Sequence, residues 1–207
     1  TATQHRGYAF GSILTLALTI TALVLITQYV HAVLWAPLPF RDADALLRVA
    51  ERHQGRGLSD YAVSTPNFES WRQGLSAQAD FAATRYADVT LNADGERAAE
   101  RVLAFRSTEN LWQVLGLPLV EGRAFEAGER LAGAEAVVIV SHALWQRLGS
   151  GQVGTRLVRI DGRAYRVVGI APDDVGFSAR IGVWLPLQPD ATTDDRGDRR
   201  LNVWARL

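Results

Sequence analysis

Four histidines are the residues best suited to acid–base or metal chemistry in this sequence. They are His5, His31, His53 and His142. None lies four residues from another histidine, and none stands beside a carboxylate in a spacing typical of metal ligands. The residues therefore predict no metal site, and we expect these histidines to be solvated or to cap helices.

A nucleophile or an acid–base pair is equally hard to find. Ser141 precedes His142 directly, so the two side chains diverge at a helix start, and no Gly-x-Ser-x-Gly turn is present. We therefore expect Ser141 to cap a helix. The carboxylate pairs Asp173-Asp174 and Asp194-Asp195 lie in polar stretches, which favours solvated turns over a buried catalytic pair.

Gly149, Gly151 and Gly154 have the spacing G-x-G-x-x-G. This run follows a predicted helix and leads into a predicted strand, which reverses the order of a dinucleotide-binding turn. The residues thus predict no cofactor site, and the chain carries no recognisable catalytic constellation.

Composition excludes further classes of function. The chain has no cysteine, which excludes disulfides and thiolate chemistry. All 22 basic residues are arginine, so the lysine of an ATP-binding P-loop is missing. The formal net charge is zero, which argues against nucleic acid as a partner.

One long uncharged segment near the N-terminus predicts a membrane-spanning helix. Residues 7–40 contain no Asp, Glu, Lys or Arg, and the densest apolar stretch runs from about residue 10 to residue 35. That length exceeds the roughly 20 residues that cross a bilayer. Its apolar residues surround the helix instead of forming one stripe, and aromatic residues flank it. The residues that we assign to the span are Phe10, Leu14, Leu16, Leu18, Ile20, Leu23, Leu25, Ile26, Tyr29 and Trp35.

A signal peptide and a buried core helix are the alternative interpretations of this segment. A signal sequence has an apolar region of about 7–15 residues and a cleavage site, and this run is longer with no convincing site. His5 and Arg6 favour a cytoplasmic N-terminal side. Since the chain begins with Thr1, we expect it to be a piece of a longer protein.

The pattern of residues 41–207, which we call the body, indicates a mixture of strands and short helices. We therefore predict an α+β fold with a mixed α/β body. Strands are expected at 46–51, 81–92, 99–105, 136–140, 155–160, 164–170, 183–187 and 201–207. Short helices are expected to begin at Thr65-Pro66, Ser107 and Ser141. Asp161-Gly162 predicts a two-residue hairpin turn. We expect the first two of these helices to pack on one face of a sheet.

The order of several segments resembles the N-terminal part of ABC-transporter permeases of the MacB/FtsX-like type, closest to those without a fused ATPase. The resembling features cover nearly the whole chain. They are Thr15–Leu18, Ala32–Pro39, Val63–Arg72, Asn110–Gly116, Glu121–Phe125, Val138–Trp145, Val158–Gly169 and Val183–Leu187.

The resemblance implies a domain organisation. Residues 1–40 would be a cytoplasmic flank and the first of four membrane helices in the bacterial inner membrane. Residues 41–207 would be a periplasmic core domain with a porter-like lobe and an inserted lobe at roughly 130–182. Partners would be membrane lipid, a separate cytoplasmic ABC ATPase, and a second permease unit or a second copy of the chain.

The same resemblance implies that ATP hydrolysis by the partner moves the periplasmic domain. We expect Pro37 and Pro39 to stiffen the joint between helix and body, because proline restricts the backbone. The alternative is a membrane-tethered ligand-binding or sensor module that transports nothing. A tethered hydrolase is a third class, which no motif supports.

Overall fold

The computed structural model describes residues 2–34, 40–53, 58–92, 99–149, 151–173, 175, 181–188 and 196–207 of the chain. It divides the chain into two compact units, residues 1–38 and residues 39–207. Each unit is built by different physical rules.

The first unit is one long helix, α1, from Ala2 to Leu34. Its stretch Gly11–His31 is long and apolar enough to cross a membrane, and none of it is buried inside the protein. Apolar side chains on every side of a helix cannot all be buried by packing along one stripe. The composition of α1 therefore fits a lipid environment.

In its described residues, the second unit has three further α-helices and twelve strands. The helices are α2 (Thr65–Gly74), α3 (Leu111–Leu115) and α4 (His142–Arg147). The strands are β1 (Leu46–Val49), β2 (Glu51–His53), β3 (Leu58–Tyr61), β4 (Val63–Ser64), β5 (Asp80–Asn92), β6 (Glu100–Ser107), β7 (Glu121–Gly122), β8 (Val137–Ser141), β9 (Leu157–Ile160), β10 (Arg163–Ala171), β11 (Val183–Pro186) and β12 (Arg199–Arg206).

Ten of these strands form one mixed sheet in the order β1-β12-β5-β6-β11-β8-β10-β7. β4 adds to β12, while β9 pairs with both β10 and β5. Because β9 joins these two strands, β5, β6, β11, β8, β10 and β9 make a closed ring. Only β11–β6 and β10–β8 are parallel pairs, and the other pairs in the sheet are antiparallel. β2 and β3 form a separate two-stranded sheet.

The ring has an apolar interior. Its side chains come from alternate positions of five strands and from Val167 and Ile170 of β10, which flank a register shift, and Leu144 and Trp145 of α4 pack against them. Residues 130–182, the predicted inserted lobe, supply β8, β9 and β10, while β5, β6 and β11 lie outside that range. The strands of both predicted lobes thus share one ring, and the lobe boundary remains a prediction.

The prediction that α2 and α3 pack on the same face of the sheet is wrong. Phe68 of α2 packs with Leu201 and Val203 of β12. Leu111 of α3 packs instead with Trp204, the next residue of β12. Successive residues of a strand point to opposite faces, so the two helices cover opposite sides.

Two predicted helix starts also differ from the structure. Ser107 is the last residue of β6, and α3 begins four residues later after Asn110. Pairing with Pro186 of β11 extends β6 to Ser107, so the ladder overrides the local cap signal. α2 takes Ser64, not Thr65, as the residue before its first turn.

Other local predictions are confirmed. Asp161 and Gly162 have φ of 50° and 79°, the left-handed values that a two-residue hairpin turn requires, and they connect β9 with β10. Ser141 Oγ accepts a hydrogen bond from the Leu144 amide and caps α4.

Candidate functional site

The Ser141–His142 pair forms a helix cap, and its geometry does not suit nucleophilic catalysis. Ser141 Oγ lies 3.2 Å from the Leu144 amide, which donates to it. His142 Nδ1 lies 3.6 Å from Asp173 Oδ2, and His142 Nε2 lies 3.2 Å from Gln146 Nε2. Both imidazole nitrogens therefore face partners other than the serine hydroxyl, which a catalytic base would have to contact.

The remaining sequence candidates for chemistry form no site in the described residues. No group of three or more His, Asp or Glu side chains there could hold a metal ion. Gly149, Gly151 and Gly154 have φ of 84°, 149° and 90°, and the Gly154 amide donates to the Val167 carbonyl. They form a turn from α4 towards β9. Asp174 and the pair 194–195 lie outside the described residues.

The predicted membrane residues lie on α1, as far as the structure describes them. Phe10 belongs to the helix, whereas Trp35, Pro37 and Pro39 lie outside the described residues. The remaining side chains of the set are at least half exposed, from 51% for Leu14 to 71% for Tyr29. They are Leu14, Leu16, Leu18, Ile20, Leu23, Leu25, Ile26 and Tyr29. Lipid would remove this apolar surface from water.

Four threonines keep α1 compatible with that environment. Each hydroxyl donates to the carbonyl four residues earlier at 2.8 Å, so no hydroxyl needs water. They are Thr15, Thr19, Thr21 and Thr27. This pattern matches the sequence interpretation of α1 as a membrane helix.

In the body, a half-buried ion-pair network that we call the Glu109 cluster joins three segments. It comprises Glu69, Arg72, Glu109 and Arg130. Glu109 accepts from Arg72 at 2.6 Å and from Arg130 at 3.1 Å, and Arg130 also lies 3.4 Å from Glu69. The Nε of Arg130 donates to the Leu187 carbonyl at 3.0 Å. The cluster thus connects α2, the β6–α3 turn and the 3₁₀ turn Ala127–Arg130.

The electrostatics of this cluster favour an ionised Glu109. Burial raises the pKa of Glu109, but its own backbone amide and the Arg130 and Arg72 guanidiniums outweigh that effect and lower the pKa below its usual value. The side chains of Glu109 and Arg130 are only 14% and 12% exposed. Removal of one guanidinium would therefore leave a poorly solvated charge.

A second cluster ties the start of β12 to the start of α2. Glu51 accepts from the Ser64 amide at 3.1 Å and from Asn67 Nδ2 at 2.6 Å, and it pairs with Arg199. Burial raises the pKa of Glu51, while Arg199, Asn67 and Ser64 lower it, with a net decrease. We call this the Glu51 cluster.

Two shallow depressions share the Tyr86 side chain. The first, which we call the aromatic cleft, has a volume of about 210 Å³. It is lined by Arg48, Thr84, Tyr86, Phe105, Asn202 and Trp204. The second, the arginine cleft, has a volume of about 500 Å³. It is lined by Arg85, Tyr86, Ala87, Arg106 and Arg200. The Tyr86 and Phe105 ring centroids are 4.5 Å apart.

No pattern in the sequence marks these clusters or clefts. The partners of Glu109 lie 21 and 37 residues away in the chain, and those of Glu51 lie up to 148 residues away. Isolated Arg and Glu residues at such separations do not form a pattern. Strand pairing brings the lining residues of both clefts together, and only the strands themselves were predictable.

Comparisons with known proteins agree with this architecture. The family model described as "MacB-like periplasmic core domain" matches residues 9–207. The fold is similar to the periplasmic region of MacB from Actinobacillus actinomycetemcomitans, with a TM-score of 0.56 and 12% identity over 78% of this chain and 73% of that one. It is also similar to a permease-protein domain from Porphyromonas gingivalis, with a TM-score of 0.59 and 16% identity over 81% of this chain and 75% of that one. The comparison with curated protein sequences gave no match.

Proposed function

Because the chain belongs to the family of MacB-like periplasmic core domains, we propose that it is the N-terminal part of an ABC-transporter permease whose body works outside the cytoplasm. The observation that carries this proposal is the family match, which spans both α1 and the body. In this proposal α1 is the first of four membrane helices in the bacterial inner membrane. Residues 41–207 lie in the periplasm, with an inserted lobe at roughly 130–182.

The energy source in this proposal is a separate ATPase. The chain has no lysine for a P-loop, so nucleotide hydrolysis falls to a cytoplasmic partner subunit. A second permease unit or a second copy of the chain completes the transporter. ATP-driven movement passes through the membrane helices to the periplasmic body, which displaces the substrate there.

A body that transmits movement must itself resist deformation, and three features support this role. The closed ring leaves its six strands joined on both sides along at least part of their length. The Glu109 cluster fixes α2 to the 3₁₀ turn Ala127–Arg130. The Glu51 cluster fixes the start of β12 to α2. Packed elements with paired charges shift as units more readily than they bend.

The joint between α1 and the body is the point where such movement would be lost most easily. Pro37 and Pro39 restrict the backbone there, whereas Gly and Ser would make the joint flexible. We expect the double replacement Pro37→Gly and Pro39→Ser in the complete permease to uncouple transport from ATP hydrolysis. The matched control, Ala36→Gly with Leu38→Ser, alters the same segment and keeps both prolines.

The measurement is transport and ATP hydrolysis in proteoliposomes that contain the permease and its ATPase. Loss of transport with retained hydrolysis in the proline variant, and normal transport in the control, would support the proposal. Unchanged coupling in the proline variant would refute the role of the joint.

A tethered ligand-binding module is the second candidate, and the aromatic cleft is the feature that favours it. The two candidates differ in what the complete reading frame encodes after Leu207. Three further apolar spans with a neighbouring ATPase gene support the permease. A signalling domain at that place would support the binding module instead.

A further inference from the structure

The longest strand of the body has an unpaired stretch in its middle. β5 pairs with β6 on one side along residues 84–91. On its other side it pairs with β12 only at residues 80–84 and with β9 only at residues 91–92. Within the described part of the chain, no strand pairs with residues 85–89 on that side. At about 3.3 Å per residue, the open stretch is about 17 Å long.

The backbone direction at the open stretch follows from its neighbours. The Thr90 carbonyl accepts from the Asp161 amide, and the Thr90 amide donates to Asp161 Oδ1, so residue 90 directs its backbone towards β9. Alternate residues of a strand direct their N–H and C=O groups to the same side. Tyr86 and Asp88 therefore present two N–H and two C=O groups to the open side.

The side chains around this stretch are aromatic and cationic. Tyr86, 54% exposed, separates the aromatic cleft from the arginine cleft. Among the described residues, no carboxylate lines either cleft. In the described part of the chain, Asp88 is exposed on β5, and Asp198 pairs with Arg200 at 2.6 Å. Four arginines line the two clefts, so the described residues there carry more positive than negative formal charge.

We propose that the open edge of β5 at Tyr86–Asp88 binds an extended peptide segment with alternating acidic and apolar side chains. The segment would add a short strand between β12 and β9, with backbone hydrogen bonds to Tyr86 and Asp88. Its apolar side chains would lie against Tyr86 and the aromatic cleft, and its carboxylates would face the arginine cleft. Exposed unpaired strand edges are ready templates for such pairing.

The test uses the full 207-residue chain in detergent micelles and a fluorescein-labelled peptide, acetyl-Glu-Val-Glu-Phe-Glu-Val-amide. We expect saturable binding by fluorescence anisotropy. The backbone N–H of Asp88 faces the open side, so Asp88→Pro removes this donor without loss of a hydrogen bond between β5 and β6. We expect this variant to bind the peptide at least tenfold more weakly. The matched variant Asp88→Asn keeps the N–H and removes the nearby negative charge, so it should bind equally well or more tightly.

Two further arms keep the proposal testable even if Asp88→Pro fails to fold. A peptide with N-methyl groups on alternate amides should not bind, because it cannot complete the hydrogen-bond ladder. A peptide with Lys in place of each Glu should bind at least tenfold more weakly, and Arg106→Gln should weaken binding of the acidic peptide.

No binding to the wild-type chain would overturn the proposal. Equal binding of the N-methylated peptide would also overturn it, because that peptide cannot form the backbone ladder. Equal binding of the basic peptide would refute the assigned charge preference. None of these outcomes depends on transport, so the proposed function is tested separately.

Discussion

Arg130 is the residue whose removal should weaken the body most clearly by electrostatics alone. Arg130→Met keeps most of the side-chain volume but removes the partner that Glu109 has at 3.1 Å. Loss of one partner of a buried pair costs about 3–5 kcal/mol. Glu109 keeps Arg72, which should reduce that cost to about half, and the Leu187 carbonyl loses its donor at about 1 kcal/mol. We therefore expect a loss of about 2.5–3.5 kcal/mol.

The assay is urea unfolding of the full chain in micelles, followed by tryptophan fluorescence. Trp112 and Trp184, whose ring centroids are 5.3 Å apart, report on the core of the body. Arg41→Met is the control, because the Arg41–Asp42 pair is at least 75% exposed and should contribute less than about 0.5 kcal/mol. Equal, small effects of both variants would refute the assignment of the Glu109 cluster as a stabilising contact.

Three other predictions concern the acid sensitivity, the backbone packing and the membrane helix. The pKa of Glu109 is lower in the folded protein than in the unfolded chain, where it is about 4.3. Ionised Glu109 therefore stabilises the fold above that pH. This contribution is lost as the pH falls through the pKa of the folded state. Glu109→Gln should therefore flatten the fall in urea midpoint as the pH is lowered below about 4.3. A Cβ at Gly169 would lie 2.6 Å from the Arg123 carbonyl oxygen. Gly169→Ala should therefore lower the melting temperature by roughly 5 °C or more. Gly128→Ala is the control and should leave the melting temperature unchanged, because a Cβ there would meet no atom within 4 Å. Leu18→Arg, near the middle of α1, should cost about 3 kcal/mol or more in a membrane-insertion assay, and Leu18→Ile should insert normally.

Local signals in the sequence predicted much of the secondary structure because they act over a few residues. The apolar run at 136–140 and the Asp161-Gly162 turn specify β8 and the β9–β10 hairpin without distant information. The all-round apolarity of α1 is likewise a property of the segment itself. The predicted bounds of β8, β9 and β10 agree with the structure to within two residues, whereas α1 begins eight residues before the predicted apolar stretch.

Long-range pairing explains what the sequence could not predict. Closure of the ring depends on β9 meeting β5, whose paired residues are about 70 positions apart in the chain. Ser107 has the chemistry of a helix cap, yet its pairing with β11 keeps it in a strand. The Glu109 cluster and the open edge of β5 follow from the same kind of pairing, so no local pattern marks them.

The central claim is that α1 crosses the membrane and holds the body on its outer side. These 207 residues contain no cysteine, so labelling of a thiol introduced among them is measured against the unsubstituted complete permease as background. Leu131, 60% exposed, marks the body, and Gln4 marks the N-terminal side. In intact cells that produce the complete permease, a membrane-impermeant maleimide should label Leu131→Cys and should label Gln4→Cys only after lysis. Labelling of Gln4→Cys with protection of Leu131→Cys, or release of the body from the membrane by cleavage, would contradict the account.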